Sequence, residues 1–275
     1  MLRRPILPEL PMSKLAHWSN RLGWFALTMT GLSIIIVRSG ILEIEPALAT
    51  FVAALVFAAV AVLLAFGSFI VIWREGSRGL GRALTGMFLG LALLAYPAYL
   101  GYLAKKLPMI NDITTDPGNP PRFDTLARLR PRGTNDYPGT KVATLQRTAY
   151  PDIQPLDVDV PPQVAYDIVL KLIAKRKWHV IDTQPPGARR AGSIEAVART
   201  PIMGFRDDVV VRLSANEDGT RVDMRSASRF GASDFGTNAS RIRSLLDDID
   251  DAAGSAPKGM LPPRRPAEKT QPARR

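Results

Sequence analysis

The stretch ALATFVAALVFAAVAVLLAFGSFIVIW, Ala47–Trp73, runs for 27 residues without a charged side chain. About 20 helical residues cross the roughly 30 Å of hydrocarbon in a bilayer, so this segment spans with length to spare for tilt. Outward from it, on either side, lie two companions. Leu22–Val37 is 16 apolar residues and spans if Trp18, Arg21 and Arg38 sit at the interfaces with their long side chains reaching the headgroups. Ala83–Leu103 is 21 uncharged residues, with Pro97 near its far end and Tyr96, Tyr99 and Tyr102 grouped where an aromatic belt belongs. Three transmembrane helices are therefore expected within 22–103, after an N-terminal arm, 1–21. Ala47-Leu48-Ala49 has the form of a signal cleavage site. However, Arg38, Glu43 and Glu45 separate it from the first apolar run and a second span follows at once, so the first segment is read as retained.

No Asp, Glu, Lys, Arg or His falls inside these spans, which disfavours transport, because ion paths and proton relays need intramembrane charge. Gly86 and Gly90 form a small-xxx-small pair suited to close helix packing. The arm carries Arg3, Arg4, Lys14 and Arg21, and the loop between the second and third spans carries Arg74, Arg78 and Arg82. The opposite side has Arg38, Lys105 and Lys106. The positive-inside rule then puts the arm in the cytoplasm and, after three crossings, the C-terminal half outside, in the periplasm of a bacterium. The expected localisation is a bacterial inner membrane.

The distribution of charge excludes some partners. The formal net charge is +11, split as +4 over 1–103, +2 over 104–253 and +5 over 254–275. A nucleic-acid reader concentrates its excess on a folded face, whereas the folded candidate here is nearly balanced, so no nucleic-acid partner is expected. The absence of cysteine excludes thiolate chemistry, a disulfide framework and Cys-based metal sites.

After the third span, residues 104–150 are rich in Pro, Gly, Asp, Asn and Thr, with turn chemistry in Asp116-Pro117-Gly118-Asn119-Pro120-Pro121 and Asn135-Asp136-Tyr137-Pro138-Gly139. They read as an extended connector partly wrapping the domain that follows. From Ile153 the pattern is regular. Ile153–Val160 reads as a strand, and Pro161-Pro162 start a helix with Val164, Ile168, Leu172 and Ile173 at helical spacing through Lys177. Trp178–Thr183, Ser193–Arg199, Asp208–Ser214 and Thr220–Ser228 read as strands, the last two joined through the turn Asn216-Glu217-Asp218-Gly219. Val222 and Met224 alternate with Arg221, Asp223 and Arg225, so the sheet has a buried side and a charged side. A last helix, starting between Ser233 and Thr237, carries the stripe Phe235, Ala239, Ile242, Leu246 and Ile249. The expected fold is α+β over 151–253, an antiparallel sheet with helices on one face. The tail, 254–275, is basic and too poor in large apolar residues to order itself.

Catalytic material is sparse. His179 is the one histidine of the soluble half, and Gly231-Ala232-Ser233-Asp234-Phe235-Gly236 has the wrong spacing for a nucleophile elbow. Gly76, Gly79 and Gly81 lie between spans and not between strand and helix, so they form no dinucleotide site. No cofactor and no metal site is expected. What remains is a polar constellation: Asp207, Asp208, Arg225, Ser226, Ser228, Arg229, Ser233, Asp234, Asn238 and Arg241. In one reading Arg225, Arg229 and Arg241 converge at the start of the last helix and, with its free N–H groups, hold a phosphate or carboxylate. In the other, Asp234 or Ser233 caps that helix, and Asp207 and Asp208 pair with Arg225 and Arg229.

The order of these residues carries a resemblance. Met203-Gly204-Phe205-Arg206-Asp207-Asp208-Val209, then the run from Asp223 to Asn238 that includes Arg225-Ser226-Ala227-Ser228-Arg229-Phe230-Gly231 and Ser233-Asp234-Phe235-Gly236-Thr237-Asn238, then Arg241-Ile242, resembles the bacterial family called domain of unknown function 1499. Asn111-Asp112-Ile113-Thr114-Thr115-Asp116-Pro117 and Ala149-Tyr150-Pro151-Asp152-Ile153 are similar to its membrane-anchored members. The likeness spans roughly 108–250 and lacks the Asn-Cys pair that some members carry upstream. It implies no activity. The expectation is a membrane protein whose external domain binds a protein or anionic envelope partner. The alternative is a hydrolase using Asp207, Asp208 or Ser233.

Overall fold

A computed structural model describes residues 10–40, 44–129 and 137–255. They form two compact units divided between Lys106 and Leu107, with Pro201–Gly204 grouped with the first. Arg3, Arg4 and Glu43, the Asn135-Asp136 part of the second turn and the tail from residue 256 lie outside the described residues.

The first unit is three helices, α1 (Lys14–Ser39), α2 (Ile44–Glu75) and α3 (Leu80–Lys106), each long and apolar enough to cross a membrane. The shortest apolar run becomes a helix of 26 residues. Its polar flank, Lys14 to Arg21, ends the hydropathy and leaves helix propensity intact. Ser13 caps its start by accepting the Ala16 N–H at 3.4 Å, and Gly40, at φ 69°, turns the chain out of its end. The helices meet through small residues. Ala54, Ala58, Ala61, Ser19 and Ala83 are buried, and the Ser19 hydroxyl donates to Ala61 O at 2.8 Å. A Cβ at Gly86 would lie 2.1 Å from Ser19 Oγ, and one at Gly90 2.6 Å from a Val62 methyl, so both glycines are needed for close approach. Large apolar side chains point outward, with Leu63 69%, Phe88 71% and Trp73 91% exposed. That is the inverse of a water-soluble bundle, and it suits hydrocarbon surroundings.

The second unit is the α+β domain. Its elements are β1 (Asp112–Thr114), α4 (Thr125–Arg128), α5 (Thr140–Ala149), β2 (Leu156–Val158), α6 (Pro162–Lys175), β3 (His179–Gln184), β4 (Gly192–Arg199), β5 (Arg206–Ala215), β6 (Thr220–Ser228) and α7 (Thr237–Gly254). β3 to β6 form an antiparallel meander, and β1 and β2 pair end to end along the free edge of β6. One face carries Ile194, Ala196, Val209, Val211, Leu213, Val222 and Met224 against Val169 and Ile173 of α6 and Ala239, Ile242, Leu245 and Ile249 of α7. Leu245 takes the fully buried place on α7 expected of Leu246, which packs partly buried beside it.

Two expectations change here. The described part of 104–150 is not an extended connector, and 104–106 end α3. The rest supplies β1, α4 and α5, and Ile110, Ile113 and Tyr150 belong to the main core. The charged side of the sheet is also covered. Phe123 and Leu126 pack there on Val210 and Ala227, so α4 lies opposite the face that holds α6 and α7. Gln146 of α5, 1% exposed, accepts the Thr114 N–H at 3.1 Å and donates to Thr114 O at 2.6 Å. A side-chain amide thus completes the backbone bonding of the edge strand β1.

Candidate functional site

Successive side chains of a strand leave opposite faces of a sheet. Asp207 and Asp208, adjacent in β5, therefore do not share a site. Asp207, 1% exposed, faces α7, where its Oδ2 accepts from Arg241 Nη2 at 2.6 Å. Asp208, fully buried, faces the other way and accepts from Arg229 Nε at 2.9 Å and Nη2 at 2.7 Å. Arg225 leaves β6 on that second face and is 4% exposed. It holds the Asp112 carboxylate with both prongs, at 2.9 and 2.7 Å, and donates to Pro121 O at 3.3 Å. Phe123 and Tyr137 flank its guanidinium, with ring centres 4.6 and 5.4 Å away. Of the pairing read from sequence, Asp208 with Arg229 is present and Asp207 with Arg225 is corrected. Asp207 meets Arg241, and Arg225 meets Asp112, because the sheet stands between Asp207 and Arg225.

The start of α7 is built from Asp234, Asn238 and the strand ends beneath them. Gly236, at φ 81°, is the N-cap residue and has no side chain to offer. Asp234 substitutes for it, accepting the N–H groups of Gly236 and Asn238 at 2.9 Å each. Burial pushes the Asp234 carboxyl above its ordinary range, partly offset by those N–H groups, with nearby Asp207 adding to the rise. Ser233 Oγ accepts the Phe235 N–H at 3.3 Å. Asn238, fully buried, accepts from Ser226 Oγ at 2.7 Å and Arg241 Nη1 at 2.5 Å, and donates to Asn111 O and Ser228 Oγ at 3.0 Å each. Its amide uses both donors and its oxygen. Arg241 is the one member of the arginine trio that reaches this point; Arg225 and Arg229 lie across the sheet.

Chemically, this arrangement fastens chain segments together. Asn238 ties α7 to β6 and to the residue before β1, while Asp112 and Arg225 tie β1 to β6 beneath the segment that carries Phe123. No group of three or more His, Cys, Asp or Glu suited to a metal occurs among the described residues. Tyr150, 5% exposed, has a hydroxyl with no hydrogen-bond partner. Burial raises its pKa, helped by Asp234 and opposed by Arg243. Burial likewise raises Tyr137, with Asp112 adding to it.

A family model described as protein of unknown function (DUF1499) matches residues 112–249, half of the chain. The chain belongs to this family. The DUF1499 region begins at the first residue of β1 and ends at Ile249, a buried core residue of α7. It thus includes the 112–150 stretch whose composition suggested a connector. The sequence matches no curated protein. Among solved structures, the di-domain ARO/CYC BexL from the BE-7585A biosynthetic pathway is similar at 14% identity, over 65% of this chain, with a TM-score of 0.26. The chain spans about 62% of the length of that protein, and an overlap this loose carries no argument about fold or activity.

Hollows open among the described residues of the DUF1499 unit. One, about 360 Å³, runs between the segment leading into β2 and α7, lined by Ile153, Leu156 and Leu246 together with Asp152, Asp247 and Asp250. Arg243 forms a two-pronged pair with Asp152 there, and its hydrogen bond holds that carboxyl below the usual range. Another, about 250 Å³, is lined by Asn119, Arg122, Gln184, Ser193 and Arg212.

Glu195, a polar-side residue of its strand by alternation, stands outside the constellation read from sequence. It is 2% exposed, and its carboxylate accepts the N–H groups of Asp124, Thr125 and Leu126 at 2.6, 3.2 and 2.7 Å, so it holds the first turn of α4 on the sheet. Asp223 is equally hidden, accepting from Arg212 Nη2 at 2.9 Å. Alternation on a strand places both on the charged face. Nothing in one strand's own pattern tells that a distant segment will cover that face.

Proposed function

We propose that the chain is a multi-pass protein of a bacterial inner membrane, with its N-terminus in the cytoplasm and its DUF1499 domain in the periplasm. In this reading the domain binds a protein or anionic envelope component without transforming it. One observation supports the non-catalytic part: the acids and arginines of the constellation are spent on one another, on Asp112 and on backbone groups. Asp207 and Asp208 face opposite sides, and Ser233 accepts a backbone N–H. General acid–base or nucleophilic chemistry needs a reactive group within reach of a substrate and of a partner group. The surface hollows, lined by both apolar and charged side chains, offer room for a partner. Orientation is supported by the Lys/Arg asymmetry around the spans.

The test is a turnover screen of the purified full-length protein against ester, phosphoester and glycoside substrates. No turnover is expected. Turnover abolished by Asp208→Ala, in a variant that keeps its melting temperature, establishes the hydrolase instead. For orientation, a phosphatase reporter fused after Arg275 is expected to be active and a fluorescent protein that matures only in the cytoplasm to stay dark. The reverse pair of results inverts the topology.

A further inference from the structure

We infer that the end of the three-helix unit formed by the start of α1 and the α2–α3 turn is a binding site for the headgroup of an anionic phospholipid. The sequence places Lys14 and Arg21 on α1, Arg74 in the last turn of α2, Arg78 in the connecting turn and Arg82 in the first turn of α3. The structure draws these segments together. The Ser13 N–H donates to Arg78 O, and the Arg78 N–H donates to Pro11 O, both at 2.9 Å. One residue of arm is thereby paired with one residue of turn, Met12 with Arg78. Gly79, at φ 129°, brings the turn against α1, where a Cβ would lie 3.1 Å from that of Ala16. One turn further on, Arg82 Nη1 lies 3.3 Å from His17 Nδ1.

The cations at this corner outnumber Glu75, the acid that follows Arg74 at the end of α2. Lys14, Arg21, Arg74, Arg78 and Arg82 are all exposed, and among the described residues none of them forms an ion pair. Arg21 leans over the Trp18 ring, 5.9 Å from its centre, and that ring is 53% exposed, as interfacial tryptophans are. Ser77, 7% exposed, lies inside the turn with its hydroxyl unpartnered. The soluble unit offers the contrast, since its buried arginines hold carboxylates.

Cations flanking a span favour one orientation wherever they sit. These differ in being fixed around one corner by backbone bonds between arm and turn, at the level where the apolar helix surface ends. Each Lys or Arg near an anionic surface contributes about 1 kcal/mol. A phosphodiester among Arg78, Arg82 and Lys14 would receive charge-assisted hydrogen bonds from side chains whose backbones are bonded side by side, with its acyl chains lying along the apolar sides of α1 and α3. The inference is independent of whether the soluble domain binds anything.

The test uses full-length protein in a neutral detergent, titrated with phosphatidylglycerol, phosphatidylcholine or inorganic phosphate, and read by native mass spectrometry and by the melting temperature. Phosphatidylglycerol is expected to be retained and to raise the melting temperature. Retention should weaken by about tenfold or more in Arg78→Gln/Arg82→Gln and persist in Arg78→Lys/Arg82→Lys. The control, Lys105→Gln/Lys106→Gln, removes the same charge from the far end of α3 and should leave retention unchanged. Equal losses in the two Gln pairs would reduce the effect to general attraction and overturn the site. Inorganic phosphate or phosphatidylcholine acting as well as phosphatidylglycerol would overturn the anionic-headgroup assignment.

Discussion

The two faces of the sheet in the soluble unit are buried to a similar degree by opposite means. The face under α6 and α7 is hydrocarbon against hydrocarbon, with Ile194, Val211, Leu213, Met224, Ile242 and Leu245 fully buried. The face under the Phe123–Leu126 segment sets Glu195, Asp208, Asp223, Arg225 and Asp112 among a few apolar side chains, all of these at most 5% exposed. Burial of apolar area stabilises the first whatever its detailed geometry, by about 1.5 to 3 kcal/mol per large side chain. The second is stable only while each charge keeps its partner, because desolvation of an unmatched ion costs more than a pair returns. The apolar face therefore tolerates substitution in proportion to volume, and the charged face fails sharply at single positions.

That contrast is open to measurement by urea denaturation of a fragment starting at Leu107, which has its own core and in which Trp178 is the sole tryptophan. The largest effect is expected from Asp112→Ala, which removes the carboxylate facing Arg225 and should cost about 3 to 5 kcal/mol. The pair Asp112→Leu/Arg225→Met should recover most of that loss. If the double change is as damaging as the single one, the ion pair stabilises in its own right and the contrast fails. On the apolar face, Ile242→Ala should cost about 3 kcal/mol through lost contacts and a cavity, while Ile242→Val costs about 1 kcal/mol.

Glu195→Gln keeps the shape and replaces one acceptor oxygen with a donor facing the α4 N–H groups; about 1 to 3 kcal/mol should be lost, with α4 amides gaining hydrogen-exchange rate before β5 does. Arg243→Ala, at the exposed pair with Asp152, should change stability by no more than about 1 kcal/mol, and less in high salt.

The smallest effect concerns pH. Burial raises Asp234 in the folded state, so its contribution to stability is fully present below the ordinary carboxylate pKa and is lost as the pH rises through the folded value. Asp152 is lowered by Arg243; its contribution is present above the ordinary value and is lost as the pH falls through the folded one. From neutral toward acid, wild type should gain stability relative to Asp234→Asn and lose it relative to Asp152→Asn. Parallel profiles would show that the two carboxylates do not differ in environment.

The three spans, the meander strands and both long helices of the soluble unit were readable because each announces itself within its own window. Hydropathy over about 20 residues marks a span, and alternation or a 3.6-residue stripe marks a strand or helix face. β1 and α5 were not readable. Asp112–Thr114 is three residues long and gains its identity from β6, more than a hundred positions away. Within the constellation the participants were visible from their order and from the likeness to DUF1499, and the separation of Asp207 from Asp208 follows from strand periodicity alone. Partner choice was decided by folding. Arg225 takes Asp112 because β1 docks on β6, and the Asp234 carboxylate accepts the N–H groups of Gly236 and Asn238 because Gly236 has no side chain to cap α7. Local composition determines which face of an element is oily or charged. Which distant segment covers that face, and hence which charges lose their water and must find partners, is a property of the assembled chain.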